Sequence, residues 1–177
     1  MKDLVRMRTS LKEEIEHVLN EQIKMEAHSS AIYLAMASWC DRNGFLHSAE
    51  YLYKQSDEER HHMLKIFKYV ADMGGTAISP EIMNVPQEFD SFRNVFESAL
   101  EQEIAVTHSI NRIVDACRRS FDFGTEEFMK WFVKEQIEEE YIARRAVELF
   151  DVIGEEGVGR YMIDKAIPEI TFGDESA

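Results

Sequence analysis

The sequence predicts an all-α protein: a four-helix bundle with a long crossover between its second and third helices and a short fifth helix near the C-terminus. Three observations predict it. Four stretches carry apolar residues in alternating steps of four and three, the spacing that keeps one face of a helix turned to a bundle seam. Only 3 prolines occur in 177 residues, and alternating Val/Thr-rich runs are absent. The connections between the four stretches are short, with one exception. A chain of this length buries a good core as a single domain, 1–177.

Helix one, 10–43, opens on a capping box, Ser10 with Glu13 three residues on, and stops at Asn43-Gly44. Its stripe is Ile15, Leu19, Gln22, Glu26, Ser29, Tyr33, Met36 and Cys40. Helix two, 46–73, ends before Gly74-Gly75 and carries Ser48, Leu52, Gln55, Glu59, His62, Ile66, Tyr69 and Met73. A short connection makes these two antiparallel neighbours. Residues 76–90, with Ser79-Pro80 and Val85-Pro86, form a loop of unusual length for a compact domain. A helix of about 28 residues spans roughly 42 Å. About 16 extended residues reach roughly 53 Å. The loop can therefore run the length of the bundle and leave helices two and three parallel.

Helix three, 91–119, carries Phe92, Phe96, Ala99, Glu103, Val106, Ile110, Ile113 and Cys117. A turn at Asp122-Phe123-Gly124 leads to helix four, 125–153, whose stripe reads Phe128, Phe132, Glu135, Glu139, Ile142, Ala146, Leu149 and Ile153. Gly154, Gly157 and Gly159 break the chain before helix five, 160–167, which Pro168 ends. The tail from Gly173 is expected to be mobile.

All four stripes share one defect at one level: the fourth of eight positions is an acid. Midpoints of packed helices lie level whichever way each helix runs. Glu26, Glu59, His62, Glu103, Glu135 and Glu139 are thus expected to converge in the middle of the core. Burying an unpaired carboxylate costs several kcal/mol, and no Lys or Arg lies on any stripe to neutralise these. Mutual repulsion raises their pKa values unless cations arrive. Protonated core glutamates, or a stripe rotated towards solvent, would explain one such defect. Four aligned defects point to a metal site.

The spacing narrows the chemistry. Glu59-Arg60-His61-His62 and Gln136-Ile137-Glu138-Glu139 each place two ligand-type side chains three residues apart, on one helix face. One Glu from each of two helices plus such a pair from each of the other two is the arrangement of di-iron carboxylate bundles. Carboxylates with a lone imidazole suit iron or manganese better than the thiolate-rich sites of structural zinc. Anionic oxygens favour the ferric state. A Glu bridging two metals lets both deliver electrons to one oxidant molecule. Tyr33, two stripe steps from Glu26, either stabilises or reduces bound peroxide or is a satisfied core phenol.

Composition excludes other classes. A net charge of −14 argues against a nucleic-acid partner. The basic residues Lys2, Arg6, Arg8 and Lys12 sit beside Asp3 and read as a solvated end. No stretch is apolar enough for a membrane span or a secretory leader, so the expected location is cytoplasmic. Cys40 and Cys117 read as reduced core residues. His17, His47, His61 and His108 fall off the stripes and read as solvated.

The chain resembles the ferritin family, and within it the non-haem bacterial ferritins. The segments that carry the likeness are 19–26, 29–33, 57–62 and 131–140, in order and at family spacing; the likeness extends to about residue 165. The resemblance implies a ferritin-like bundle that stores iron. Fe(II) would be oxidised by O2 or H2O2 at a di-iron ferroxidase centre and laid down as ferric mineral inside a homo-oligomeric cage of twenty-four subunits. It implies Glu26, Glu59 and His62 for the first iron; Glu59 as bridge, Glu103, Glu139 and Gln136 for the second; and Glu58, Glu135, Glu138 and Glu139 for a third. Helix five would pack at the cage's four-fold axis. His28 departs from the family pattern, standing where a Tyr is frequent. Bacterioferritins are similar too, but their haem-ligand Met would fall at Arg60 and they carry a His where Glu139 stands, so no haem is expected. A rubrerythrin-like peroxidase or oxidase is the rival enzyme, although the chain has no Cys-x-x-Cys. DNA-protecting mini-ferritins lack the fifth helix and build their site between subunits, and a metal-free bundle would leave the acids unexplained.

Overall fold

The long crossover sets the topology. In the computed structural model, which describes residues 9–173, five α-helices occur: α1 Glu13–Arg42, α2 Leu46–Asp72, α3 Phe92–Ser120, α4 Phe123–Ile153 and α5 Gly159–Ala166. A 3₁₀ turn, Ile167–Glu169, follows, and no strand occurs among the described residues. The basic residues 2–8 and the tail beyond Gly173 lie outside the described residues. After α2 the chain returns alongside α1, clasped at three heights. Asn20 donates to the Thr76 carbonyl at 3.0 Å and accepts from the Ile78 amide at 2.8 Å. His28 Nε2 sits 3.1 Å from the Met83 carbonyl. Arg42 donates to the Gln87 carbonyl at 3.2 Å and to Glu88 at 3.1 Å. The crossover thus climbs the full height of α1, and α2 and α3 start at the same end of the bundle. They are parallel, as the loop length predicted.

Contacts fix the remaining directions. α1 packs along α2, and α3 along α4. Lys12 and Glu14, at the start of α1, bond Ser120 at the end of α3, so these two helices run antiparallel. Tyr69, near the end of α2, stacks on Phe128 near the start of α4. No helix among the described residues is long and apolar enough to cross a membrane.

Three local expectations are corrected. α1 starts at Glu13, not at Ser10: its N-cap is Lys12, whose side chain makes no cap bond. Leu11 is drawn into the core, and Lys12 Nζ donates instead to the Ser120 carbonyl at 2.7 Å, placing a cation at the negative end of α3. The α3–α4 turn lies one residue earlier than expected. Phe121 is left-handed (φ 58°), and the Asp122 side chain caps α4 by accepting from the Thr125 amide at 3.0 Å. In α4 the buried stripe is Thr125, Met129, Phe132, Gln136, Glu139, Ala143, Ala146 and Phe150, a rotated register that shares only Phe132, Glu139 and Ala146 with the predicted one. Glu135 is consequently half-buried and Gln136 takes the inward position.

α5 folds back on the start of α2. Asp164, 4% exposed, accepts from the Ser48 amide at 2.8 Å and the His47 amide at 3.3 Å, so it caps a helix far away in sequence. Gly159 permits this turn, because a Cβ there would lie 1.9 Å from the Gly154 carbonyl oxygen. Cys40 and Cys117 are free and buried at opposite ends of the core.

Candidate metal centre

The apolar core is divided in two. One cluster holds Met36, Leu52, Phe92, Phe96 and Phe150. The other holds Ile15, Leu19, Ile66, Ile110 and Phe132. Between them every helix of the bundle inserts polar side chains: Gln22, Glu26 and Ser29 from α1, Glu59 and His62 from α2, Glu103 from α3, Gln136 and Glu139 from α4. All eight are buried, and the four glutamates are no more than 5% exposed. The heptad phase of each stripe puts them there, and the level is the helix midpoint expected from the sequence.

Glu26, Glu59 and His62 form a fully buried group, with one ligand atom of each within 4.8 Å of the others. His62 Nδ1 stands 3.8 Å from Glu59 Oε2. Glu26 Oε2 and Glu59 Oε2 are buried without any hydrogen-bond partner. Two carboxylate oxygens left bare beside an imidazole nitrogen are an expensive arrangement for a core and an apt one for a cation. Glu103 is held from both sides. Tyr33 donates its phenol hydrogen to Oε1 at 2.5 Å, and Gln136 Nε2 donates to Oε2 at 3.1 Å. Glu139 completes the layer from α4.

Burial dominates the electrostatics. It raises the Glu59 carboxyl well above the usual range, with the charges of Glu26 and Glu103 adding to the effect. It raises Glu26 as well, against the neighbouring Glu59 carboxyl and the Gln22 amide, which favour the anion. Glu139 is pushed up to about 9 by burial and then by Glu103 and Glu58. Glu103 rises only to about 7, because Tyr33 and Gln136 donate to it. Burial and then Lys65 depress His62 to about 4, so its ring is neutral at pH 7 and has a lone pair to give. Tyr33 is driven far above its ordinary value by burial and by Glu103, so it stays a phenol and a donor. Metal-free, the layer holds protons where a cation would otherwise neutralise it.

A second group lies at the edge of the first. One ligand atom each from Glu58, His62 and Glu135 falls within 4.8 Å of the others, with both carboxylates half-buried. Burial and the charge of exposed Glu138 raise Glu58. Glu138 itself stands outside that cluster, and Glu139 lies in the main layer.

The sequence pattern missed the supporting contacts. Ser109 Oγ donates to Gln22 Oε1 at 2.6 Å, and Gln22 Nε2 donates to Glu26 Oε1 at 2.8 Å, a relay that orients Glu26. Gln22 lies one turn before Glu26 on the same stripe, and that was the available signal; nothing in the sequence pairs it with Ser109. Gln55 Nε2 orients Glu58 in the same manner at 2.8 Å.

Comparison with known proteins shows the family of the chain. The model of the Ferritin-like domain family matches residues 16–153. A probable bacterial non-heme ferritin-like protein of Haemophilus influenzae is 34% identical, with 91% of this chain and 98% of that protein covered. A bacterial non-heme ferritin of Campylobacter jejuni is 35% identical over 90% of this chain and 96% of its own length. Among solved structures, an open pore ferritin from the archaeon Archaeoglobus fulgidus superposes with a TM-score of 0.86 at 35% identity, covering 89% of this chain and 96% of that one.

Proposed function

The chain belongs to the ferritin family, and from this premise we propose that it stores iron by oxidising Fe(II) at the buried carboxylate layer and depositing the ferric product inside a cage of its own subunits. The observation that carries the reading is the layer itself: four buried glutamates, a neutral histidine and a glutamine from all four helices, with two carboxylate oxygens left unpartnered.

Iron is the substrate, and the side chains supply its surroundings. Glu26, Glu59 and His62 take one Fe(II); Glu59, Glu103, Glu139 and Gln136 take the other. Arrival of two dications displaces the protons that burial keeps on the glutamates, so metal uptake releases protons. Each Fe(II) yields one electron. A pair reduces O2, with two protons, to H2O2, or reduces H2O2, with two protons, to two waters. The anionic ligand set favours the ferric product, and the apolar clusters above and below exclude competing water. Tyr33 keeps its hydroxyl on Glu103 and is well placed to hold that carboxylate through the change of charge. The Glu58, His62 and Glu135 group offers a third, more exposed site through which iron passes between the surface and the pair. Assembly into a twenty-four-subunit cage is part of the same reading.

The test is the iron retained per chain after aerobic loading with excess Fe(II) and gel filtration. Iron far beyond the ligand capacity, co-eluting with a large assembly, is the expected result. Retention of about two per chain, the capacity of one two-metal site, would show a di-iron enzyme of rubrerythrin-like type and overturn storage.

A further inference from the structure

Two clefts reach ligand-type side chains at the seams of α4, and their chemistry differs. The α2–α4 cleft, about 430 Å³, is lined by Asp57, Glu58 and Glu135 with Lys54 and His62, and Lys65 lies beside it over the Trp131 ring, so its acids outnumber its ammonium groups. The α3–α4 cleft, about 290 Å³, is walled by Thr107, Ile110, Asn111, Val133 and Ile137. Its two charged residues, Glu140 and Arg144, bond each other, so its net charge is zero. Gln136 lines it and donates to Glu103 Oε2 at 3.1 Å. One amide group therefore stands between this cleft and a carboxylate of the layer.

A hydrated dication gains from the acidic cleft and loses hydration without replacement in the neutral one. A small neutral oxidant has the opposite balance: apolar walls hold dioxygen, and the Thr107 hydroxyl and Asn111 amide suit a peroxide. Iron on its way in past Glu58 and Glu135 occupies the acidic mouth, so a second opening lets the oxidant arrive without competing with it. Resting on the function proposed above, we infer that the α3–α4 cleft is the entry for the neutral oxidant, separate from the entry for iron, and that Asn111 and Ile137 set its width.

Asn111→Trp and, separately, Ile137→Trp place a bulky ring across this cleft from exposed positions outside the ligand set. Protein preloaded anaerobically with two Fe(II) per chain is mixed with graded O2, and in a parallel series with graded H2O2, by stopped flow. The expected result is a severalfold rise in the oxidant concentration giving half the maximal rate, with the rate at saturating oxidant and the Fe(II) bound anaerobically both unchanged. A rise with only one of the two oxidants assigns the cleft to that oxidant. Unchanged dependence on both oxidants in both variants would overturn the inference, and so would a fall in anaerobic Fe(II) binding, which would make the cleft a metal route. Gel filtration and helical circular dichroism confirm that each variant folds, and two independent positions guard against one failing. If the wild-type chain binds Fe(II) but does not oxidise it, the proposed function fails first, and that result is distinct from a cleft that makes no difference.

Discussion

The two apolar ends of the core and the polar layer between them are built from the same four stripes, yet they serve opposite ends. At the ends, Phe92 packs edge-on against Phe96 and Phe150 with ring centroids 5.6 and 5.1 Å apart, and nothing polar interrupts the contact. In the layer, carboxylates face one another without a counter-charge, and two of their oxygens have no partner. The ends contribute stability; the layer draws on it. Substitutions should therefore move stability in opposite directions in the two regions, and only one region should govern metal.

The largest effect is expected at the apolar end. Phe96, 1% exposed, leaves a cavity when cut to Ala, and Phe96→Ala should cost about 3–5 kcal/mol in chemical denaturation. Iron bound per folded chain should not change. A loss below about 1 kcal/mol would mean that the end is loosely packed and the contrast false. Glu59→Gln is the mirror experiment. Glu59 keeps a proton in the folded core that it loses on unfolding, so the Gln variant should be the more stable metal-free protein, increasingly so as pH rises above 4.5, while rapid iron oxidation is lost. Glu59→Ala should abolish that oxidation too and leave the helical content intact. Wild-type oxidation rates in either variant would remove Glu59 from the site.

The same contrast has a pH signature. Glu103 and Glu139 have folded pKa values of about 7 and about 9, above their ordinary carboxylate value of 4.5. Between 4.5 and those values the folded state binds more protons than the unfolded one, so stability falls as pH rises. His62, depressed to about 4 from 6.5, acts oppositely and lowers stability as pH drops through that range. Two raised carboxyls outweigh one depressed imidazole from about pH 5 upward, so metal-free protein should melt at progressively lower temperature from there towards pH 9. Saturating divalent metal should remove most of the alkaline decline. A metal-free melting temperature that is flat from pH 6 to 9 would contradict the protonated layer. The smallest effect belongs to Tyr33→Phe. It deletes one donor to Glu103, so the carboxyl should titrate higher and oxidation should slow by about tenfold or less, one hydrogen bond's worth.

Much of this was legible in the residues themselves. All eight positions of the α1 and α3 stripes are buried as the heptad spacing predicted, and with them the level of the acids. α4 was harder to read because Phe132, Glu139 and Ala146 belong to two heptad phases at once. Met129, Ala143 and Phe150 compete there with Phe128, Ile142 and Leu149, and apolar character alone does not choose. Packing does: the phase that faces inward carries small Ala143 and Ala146, while the larger aliphatics sit half-buried at its margin. The capping box at Ser10 satisfied a local rule that the tertiary bond from Lys12 to Ser120 outweighs. The relay from Ser109 to Glu26 and the clasp of the crossover at Asn20, His28 and Arg42 join residues far apart in the chain, so no local pattern announces them.

The crossover divides the molecule into two helical hairpins, α1–α2 and α3–α4, each held by contacts local in sequence. Local contacts form fast and distant ones slowly, so the hairpins are the natural early units of folding and their docking the late step. The proposed ligands are split along that seam: Glu26, Glu59 and His62 on one hairpin, Glu103, Gln136 and Glu139 on the other. Docking is the event that brings the two sets of carboxyl groups together, and a metal pair bound across the seam, as proposed, would convert their repulsion into a bond between halves. Metal should accordingly slow the undocking of the hairpins far more than the fraying within either one.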